Sequence, residues 1–311
     1  QKEGCRVQVP VVSHPTNAAA LQSPILSTLR LDQISGIREG IMASPESRKH
    51  AQTYWDHGFV SAIPVVSAEE AADHRGHLEN AERQMGHGLH YHSKVHTVLK
   101  SPLQLATHPA LVDVVEAILG SDVMLYNVTY IIKEPKTVKF VSWHQDLTYW
   151  GFDGTEQASA WLALSPATAE SGCMQMIPGS HRQGLREQIT WDDPDNVLLQ
   201  SQTIEDVREE DAVLCPLAPG QASIHHGWTI HSSHPNTSDD RRIGVNIQYI
   251  TPKMKQVKAK SDSAMLLRGE DRYGHFEADT PAEQWLPQNA KERLMKTTRK
   301  YHAITGSPNP A

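Results

Sequence analysis

The sequence predicts a mainly β protein with flanking helices: a sandwich, jelly roll or barrel rather than a doubly wound parallel sheet. From Val123 onward, VMLYNVTYIIK, QASAWLALSPA, CMQMIPGSH, QASIHHGWTIHSS and RIGVNIQYIT are rich in β-branched, aliphatic and aromatic residues and are punctuated by Gly, Pro, Asp and Asn. No helical period falls between these runs, so the strands are expected to pair antiparallel. At 311 residues, 39% of them hydrophobic and 21% charged, the chain is long enough to bury one large core. Gly and Pro, 19 each, are too few for a collagen-like or low-complexity chain.

In chain order, residues 1–45 mix polar, Pro and Ala residues without a sustained period and read as a loosely ordered arm. Residues 46–311 are expected to form a single domain with helical flanks and a β core over about 123–252. Between Tyr54 and Met85 the pattern runs from a helix end through a short strand to a second helix, whose start carries Ser67 and Glu70 at capping-box spacing. Pro109 opens a further helix with Leu111, Val112, Val115, Ile118 and Leu119 on one face, and Gly120 stops it. Near the end, Thr280, Pro281 and Glu283 predict a helix start, followed by the basic amphipathic stretch AKERLMKTTRKYH.

The 29 basic and 36 acidic residues leave a formal charge of −7, which argues against nucleic acid as a partner. Cys5, Cys173 and Cys215 are odd in number and far apart, so neither a disulfide framework nor a zinc knuckle is expected, and Cys173 reads as a small buried filler. No run approaches the ~18 apolar residues of a membrane span, and no export pattern opens the chain, which points to the cytoplasm. The chain begins at Gln1 without a Met, which leaves a removed leader open. The N-terminal arm is a candidate for exchange within a homo-oligomer.

Of the 18 histidines most must be bland, and with so many an H-x-D triplet arises roughly once by chance. SWHQDLTYWG places His144 and Asp146 in that triplet, and on a strand both side chains share a face. In HHGWTIHSSHPNTSDDRRIG a further strand is expected to end at His231, before small polar residues and then Arg242. Two imidazoles and one carboxylate on one face of an octahedral ion leave three positions open, the arrangement of non-haem Fe(II) oxygenases. Arg242 offers a planar fork suited to a carboxylate. Strand alternation admits only one of Arg241 and Arg242 to the interior. His225 and His226 should likewise point to opposite sides, and both are read as structural. His90, Tyr91 and His92 read equally as a polar loop or as part of a pocket mouth.

The ordered set DHGFV, IIKEP, SWHQD, AWLAL, GCMQMIPGSH, IHSSHPN and RRIG resembles the phytanoyl-CoA dioxygenase family of Fe(II)/2-oxoglutarate-dependent oxygenases over roughly residues 54–252. The resemblance implies a double-stranded β-helix, a cupin-like jelly roll. It makes His144, Asp146 and His231 the iron ligands and assigns Arg242, assisted by Ser233, to the far carboxylate of 2-oxoglutarate. Gln145, Trp161 and Thr129 match positions lining the cosubstrate pocket, and His92 matches a basic position of some members. Trp143 and Tyr149 are expected to help wall the substrate side. The implied reaction consumes O₂ and 2-oxoglutarate, releases succinate and CO₂ and hydroxylates an unactivated C–H of a small-molecule substrate. The same centre performs desaturation, cyclisation or epimerisation elsewhere in the family. A different class of reading is a non-catalytic binding module on the same fold. The motifs report the iron chemistry and not the substrate. TPKMKQVKAK reads as a solvated surface, with contact to an anionic head group as the alternative.

Overall fold

The computed structural model describes residues 43–190, 193–198 and 202–306. The arm expected over 1–45 lies outside the described residues up to position 42, as does Cys5. Helix α1 (Pro45–His57) is capped by Ser44, whose side chain accepts the Ser47 amide at 3.0 Å. It stops at Gly58, which has φ 86°, and a Cβ there would collide with His181 and Thr229. Strand β1 (Phe59–Pro64) follows, then α2 (Ala68–Met85), which opens on the expected capping box between Ser67 and Glu70. Next come α3 (Lys100–Ala106) and α4 (Pro109–Leu119). The latter starts on its proline, ends before Gly120 and buries Leu111, Val112, Val115 and Ile118.

The β-rich middle then runs through β2 (Val123–Lys133), β3 (Val141–His144), a single turn α5 (Leu147–Trp150), β4 (Gln157–Ala163) and β5 (Met174–Met176). It continues with β6 (Ile189–Thr190), β7 (Gln202–Thr203), β8 (Val213–Cys215), β9 (Gln221–His225), β10 (His231–Ser233) and β11 (Arg242–Ile250). β12 (Ser263–Arg268), β13 (Glu277–Ala278) and α6 (Ala290–Thr305) close the described chain. A seven-stranded sheet has the order β1-β9-β4-β11-β2-β12-β13 and faces a four-stranded sheet β3-β10-β5-β8, the two layers of a jelly roll. All pairings are antiparallel except β12 with β13.

The period of two along β11 divides the interior. Ile243, Val245, Ile247 and Tyr249 face one way, into an apolar layer shared with Leu78, Leu111, Val115 and Leu294 of the helices. Arg242, Asn246 and Gln248 face the other way, into a cavity between the sheets. A one-residue slip of β11 would exchange these sets and bury a cation against leucines, so the register is strongly specified. Gly244, in the second set, is bare because the Trp161 ring fills the place of a Cβ, at 1.9 Å from where it would be built.

Four expectations are corrected. The helix predicted at Thr280, Pro281 and Glu283 does not begin until Ala290, because the backbone before it is tied to other partners: the Ala282 amide donates to His96 O and Gln284 O accepts from Lys100. His231 begins a strand instead of ending one. The run QASIHHGWTIHSS breaks at a turn closed by Thr229 N donating to His226 O at 2.8 Å, so β9 and β10 belong to different sheets. That turn also buries both His225 and His226, where alternation predicted one inside and one outside. Finally, β3 ends at His144, and Asp146 has helical angles (φ −61°, ψ −45°), so the strand-face argument for that pair does not describe the chain.

Candidate active site

His144 on the last residue of β3 pairs across the small sheet with His231 on the first residue of β10, which brings their rings to 4.1 Å between centroids. Asp146, two residues on, turns back beneath them. Its Oδ1 lies 3.6 Å from His144 Nε2 and 3.9 Å from His231 Nε2. Two metal–ligand bonds of ~2.1 Å span up to ~4.2 Å, so one ion can bridge either pair. All three ligand atoms fall within 4.8 Å of one another.

The surrounding hydrogen bonds fit a metal as well. His144 Nδ1 lies 2.9 Å from Ser142 O and His231 Nδ1 lies 3.0 Å from Thr229 O. A carbonyl only accepts, so each Nδ1 carries a proton, and Nε2 is the ring nitrogen that faces Asp146. Burial, and then the imidazoles of His144 and His225, hold His231 well below the ordinary histidine range, in the neutral form a metal requires. Burial alone would raise Asp146, but the imidazoles of His144, His225 and His231 outweigh it and keep the carboxyl well below its usual range.

Asp146 Oδ2 is already satisfied. Ser159 Oγ donates to it at 2.8 Å and His225 Nε2 lies 3.1 Å away. Gln157 Nε2 in turn donates to Ser159 Oγ at 2.8 Å, and Tyr54 Oη donates to the Gln157 carbonyl at 2.9 Å. With Oδ2 occupied, Oδ1 is the oxygen presented to the two imidazoles. The β4–β9 pairing that aligns Ser159 with His225 therefore orients the carboxylate.

At the other end of the cavity Arg242 is fully buried, and neither its Nε nor its Nη2 has a hydrogen-bond partner among the described residues. Its guanidinium lies 5.0 Å from the centre of the Trp161 ring. Burial lowers it from 12.5 to about 10, which still leaves it cationic at neutral pH. A buried cation without an anion is costly unless a ligand supplies the charge, and a planar fork suits a carboxylate. Arg241, by contrast, turns outward to Glu82 and Glu134.

The structure brings together His144, Asp146, Tyr149, Trp161, Thr129, His231, Ser233 and Arg242 on one cavity. Ser233 Oγ, expected beside Arg242, accepts a hydrogen bond from Lys133 Nζ at 2.8 Å. Three expected residues do not line it. Gln145 is buried elsewhere, its Nε2 donating to Gly184 O and Trp228 O and its Oε1 accepting the Arg186 amide, each at 2.8 Å. Trp143 alternates to the opposite side of β3 from His144 and packs with Ile204 and Ile230, its Nε1 donating to Glu209. His92 sits against Thr298 of α6 and the His87 ring, and burial lowers it to about 4. Of the loop 90–92 only Tyr91 reaches the cavity, while His90 Nδ1 accepts the Ile132 amide at 3.0 Å.

Sequence reasoning missed His225 and the α6 residues Tyr301, His302 and Thr305, which wall the cavity, and Lys133, which stands behind the wall on Ser233. Burial first, and Arg242 second, lower Lys133 to about 6. Its Nζ also donates to Ser233 O at 3.1 Å and to His234 O, which pins the end of β10. Cys173 and Cys215 are buried and free, as small core fillers.

Residues 54–244 match the family described as phytanoyl-CoA dioxygenase (PhyH). The chain belongs to this family. It is an iron- and 2-oxoglutarate-dependent non-haem oxygenase. Among curated proteins it is similar to the phytanoyl-CoA dioxygenase domain-containing protein 1 homolog of Caenorhabditis elegans, 25% identical over 226 residues, which is 69% of this chain and 76% of that protein. Among solved structures it is similar to the non-heme monooxygenase ThoJ in its apo form (TM-score 0.72, 28% identity, 82% of this chain and 97% of that one). A likeness of fold alone extends to the epimerase SnoN in complex with Fe3+, alpha ketoglutarate and nogalamycin RO (TM-score 0.53, 24% identity, 68% and 86%). Among the described residues no helix is long and apolar enough to cross a membrane.

Proposed function

We propose that this PhyH-family oxygenase hydroxylates an unactivated C–H bond of a small-molecule substrate, with His144, Asp146 and His231 holding Fe(II) and Arg242 holding the distal carboxylate of 2-oxoglutarate. The observation that carries the reading is one cavity with a backbone-oriented imidazole pair and a carboxylate at one end and, at the other, a buried guanidinium with no anion from the described residues. Bound iron supplies O₂ activation coupled to decarboxylation of 2-oxoglutarate to succinate and CO₂. The protein's own contribution is positional. Ser159 and His225 fix which oxygen Asp146 presents, Arg242 sets the register of the cosubstrate, and Tyr149, Trp150 and Trp161 exclude water from the reacting centre. Asp146 favours hydroxylation over halogenation, because a carboxylate ligand fills the position a halide would need.

The test has three readings from one preparation. Fe(II) and 2-oxoglutarate added anaerobically should give a weak visible charge-transfer band, O₂ should then release succinate, and the product mass should rise by one oxygen atom. A product lighter by two hydrogens would replace hydroxylation with desaturation or cyclisation. Asp146→Gly should reduce succinate release to background. Full activity of that variant in iron-replete assays would break the ligand assignment.

A further inference from the structure

Apart from the three ligands and Arg242, the cavity has a charge character of its own. Among the described residues its remaining lining contains no lysine, no second arginine and no second carboxylate. One side carries the amides of Asn127, Asn246 and Gln248, with Tyr301 of α6 beside them, and Tyr149 and Trp150 supply an aromatic wall. Asn127 is held rigid by accepting the Lys94 amide at 2.7 Å and donating to Thr129 Oγ1 at 3.1 Å. Tyr301 Oη donates to Gln248 Oε1 at 3.3 Å, which orients that amide so that Nε2 is the group left for a ligand acceptor.

The lysines around this region are committed elsewhere. Lys94 Nζ bonds Ser263 O at 2.6 Å and Asp279 at 3.0 Å, and Lys258 Nζ bonds Tyr149 O at 2.8 Å. Lys253 pairs with Glu156 at 2.7 Å, and no lysine of the TPKMKQVKAK segment lines the cavity. An anionic group entering here would shed its water without meeting a counter-ion, since Arg242 is taken by 2-oxoglutarate. A hydroxyl or amide trades its hydrogen bonds to water for bonds to the asparagine and glutamine side chains at near parity.

We infer that the substrate is a neutral, hydrogen-bonding small molecule with an aromatic or aliphatic face, and not an acyl-coenzyme A thioester or a free carboxylate. This rests on the assignment of Arg242 to 2-oxoglutarate made above.

The test uses enzyme loaded with Fe(II) and 2-oxoglutarate under anaerobic conditions at pH 8, where an ordinary imidazole is neutral. Quenching of tryptophan fluorescence, to which Trp150 and Trp161 of the cavity contribute, reports binding of three probes: N-acetylphenylalanine amide, N-acetylphenylalanine and phenylacetyl-coenzyme A. The amide should bind saturably and at least about tenfold tighter than either anion. Gln248→Lys should narrow or invert the preference for the amide over the acid, and the isosteric Gln248→Glu should widen it.

Equal or tighter binding of either anion, no saturable binding of the amide, or a ratio unmoved by both substitutions would overturn the inference. Its failure is distinguishable from failure of the iron assignment. Absence of the charge-transfer band on loading removes the latter, whereas a normal band with an anion preference removes only the substrate class.

Discussion

The two ends of the cavity differ in how far the protein completes them. Around the metal trio every second atom has a partner: Ser142 O and Thr229 O for the two Nδ1 atoms, and Ser159 with His225 for Asp146 Oδ2. At the opposite end a cation is buried beside Trp161 with no anion from the described residues, and Lys133, itself lowered to about 6, adds a second basic group nearby. One end is finished by folding, with its three ligand atoms oriented on one point. The other holds a buried cation that a dianionic cosubstrate, in the proposed reading, would balance. The protein alone carries an electrostatic cost at the Arg242 end, and binding of 2-oxoglutarate should relieve it.

Arg242→Met breaks this comparison most directly. The affinity for 2-oxoglutarate should fall roughly 10²–10³-fold, the range expected for truncating one partner of a buried charge pair. The free protein should be no less stable than wild type and is expected to gain stability, because an apolar side chain of similar length replaces an uncompensated buried charge. Thermal melts with and without 2-oxoglutarate check both signs. A large loss of stability in the free variant would mean that the arginine already has a structural partner, and the asymmetry between the two ends would vanish.

At the metal end the expected effects are smaller, because several donors share the work. His225→Ala should weaken Fe(II) binding by roughly 10–100-fold, as is usual when a hydrogen-bond partner of a metal ligand is removed. His225→Gln, which retains an N–H donor, should recover part of that loss. Titration with Fe(II) under anaerobic conditions separates the two variants. Equal affinities for His225→Ala and wild type would show that Ser159 alone orients Asp146.

That His144, Asp146, His231 and Arg242 belong to one cavity was legible in the sequence because they sit in motifs whose order along the chain is distinctive. The physical argument first attached to the H-x-D pair was not the right one. His144 ends a strand, Asp146 begins a helical turn, and the two side chains come together by that bend and not by strand alternation. Arg242 did follow alternation, since β11 is long and central and its apolar set on 243, 245, 247 and 249 admits one register. His225 was not legible, because its contact with Asp146 depends on β9 lying beside β4, a pairing between residues far apart in sequence that no local pattern announces. The same holds for α6. Its basic amphipathic pattern is visible, but only tertiary packing brings Tyr301 and Thr305 to the cavity.

Gln145 gives the smallest effect and the sharpest separation between a residue near the site and one belonging to it. It stands between two proposed metal ligands in sequence, yet its amide is spent on three backbone groups of neighbouring loops, Gly184, Trp228 and Arg186. Gln145→Ala removes hydrogen bonds from those half-buried groups and should cost about 1 kcal/mol of stability. It touches neither the cavity nor Arg242, so the KM for 2-oxoglutarate should stay at the wild-type value, measured well below the melting temperature of the variant. A rise in that KM with little change in stability would move Gln145 back into the cosubstrate pocket. The opposite pair of results would establish that the loops at Gly184 and Trp228 depend on it, and that adjacency to the metal ligands in sequence is no guide to a role in binding.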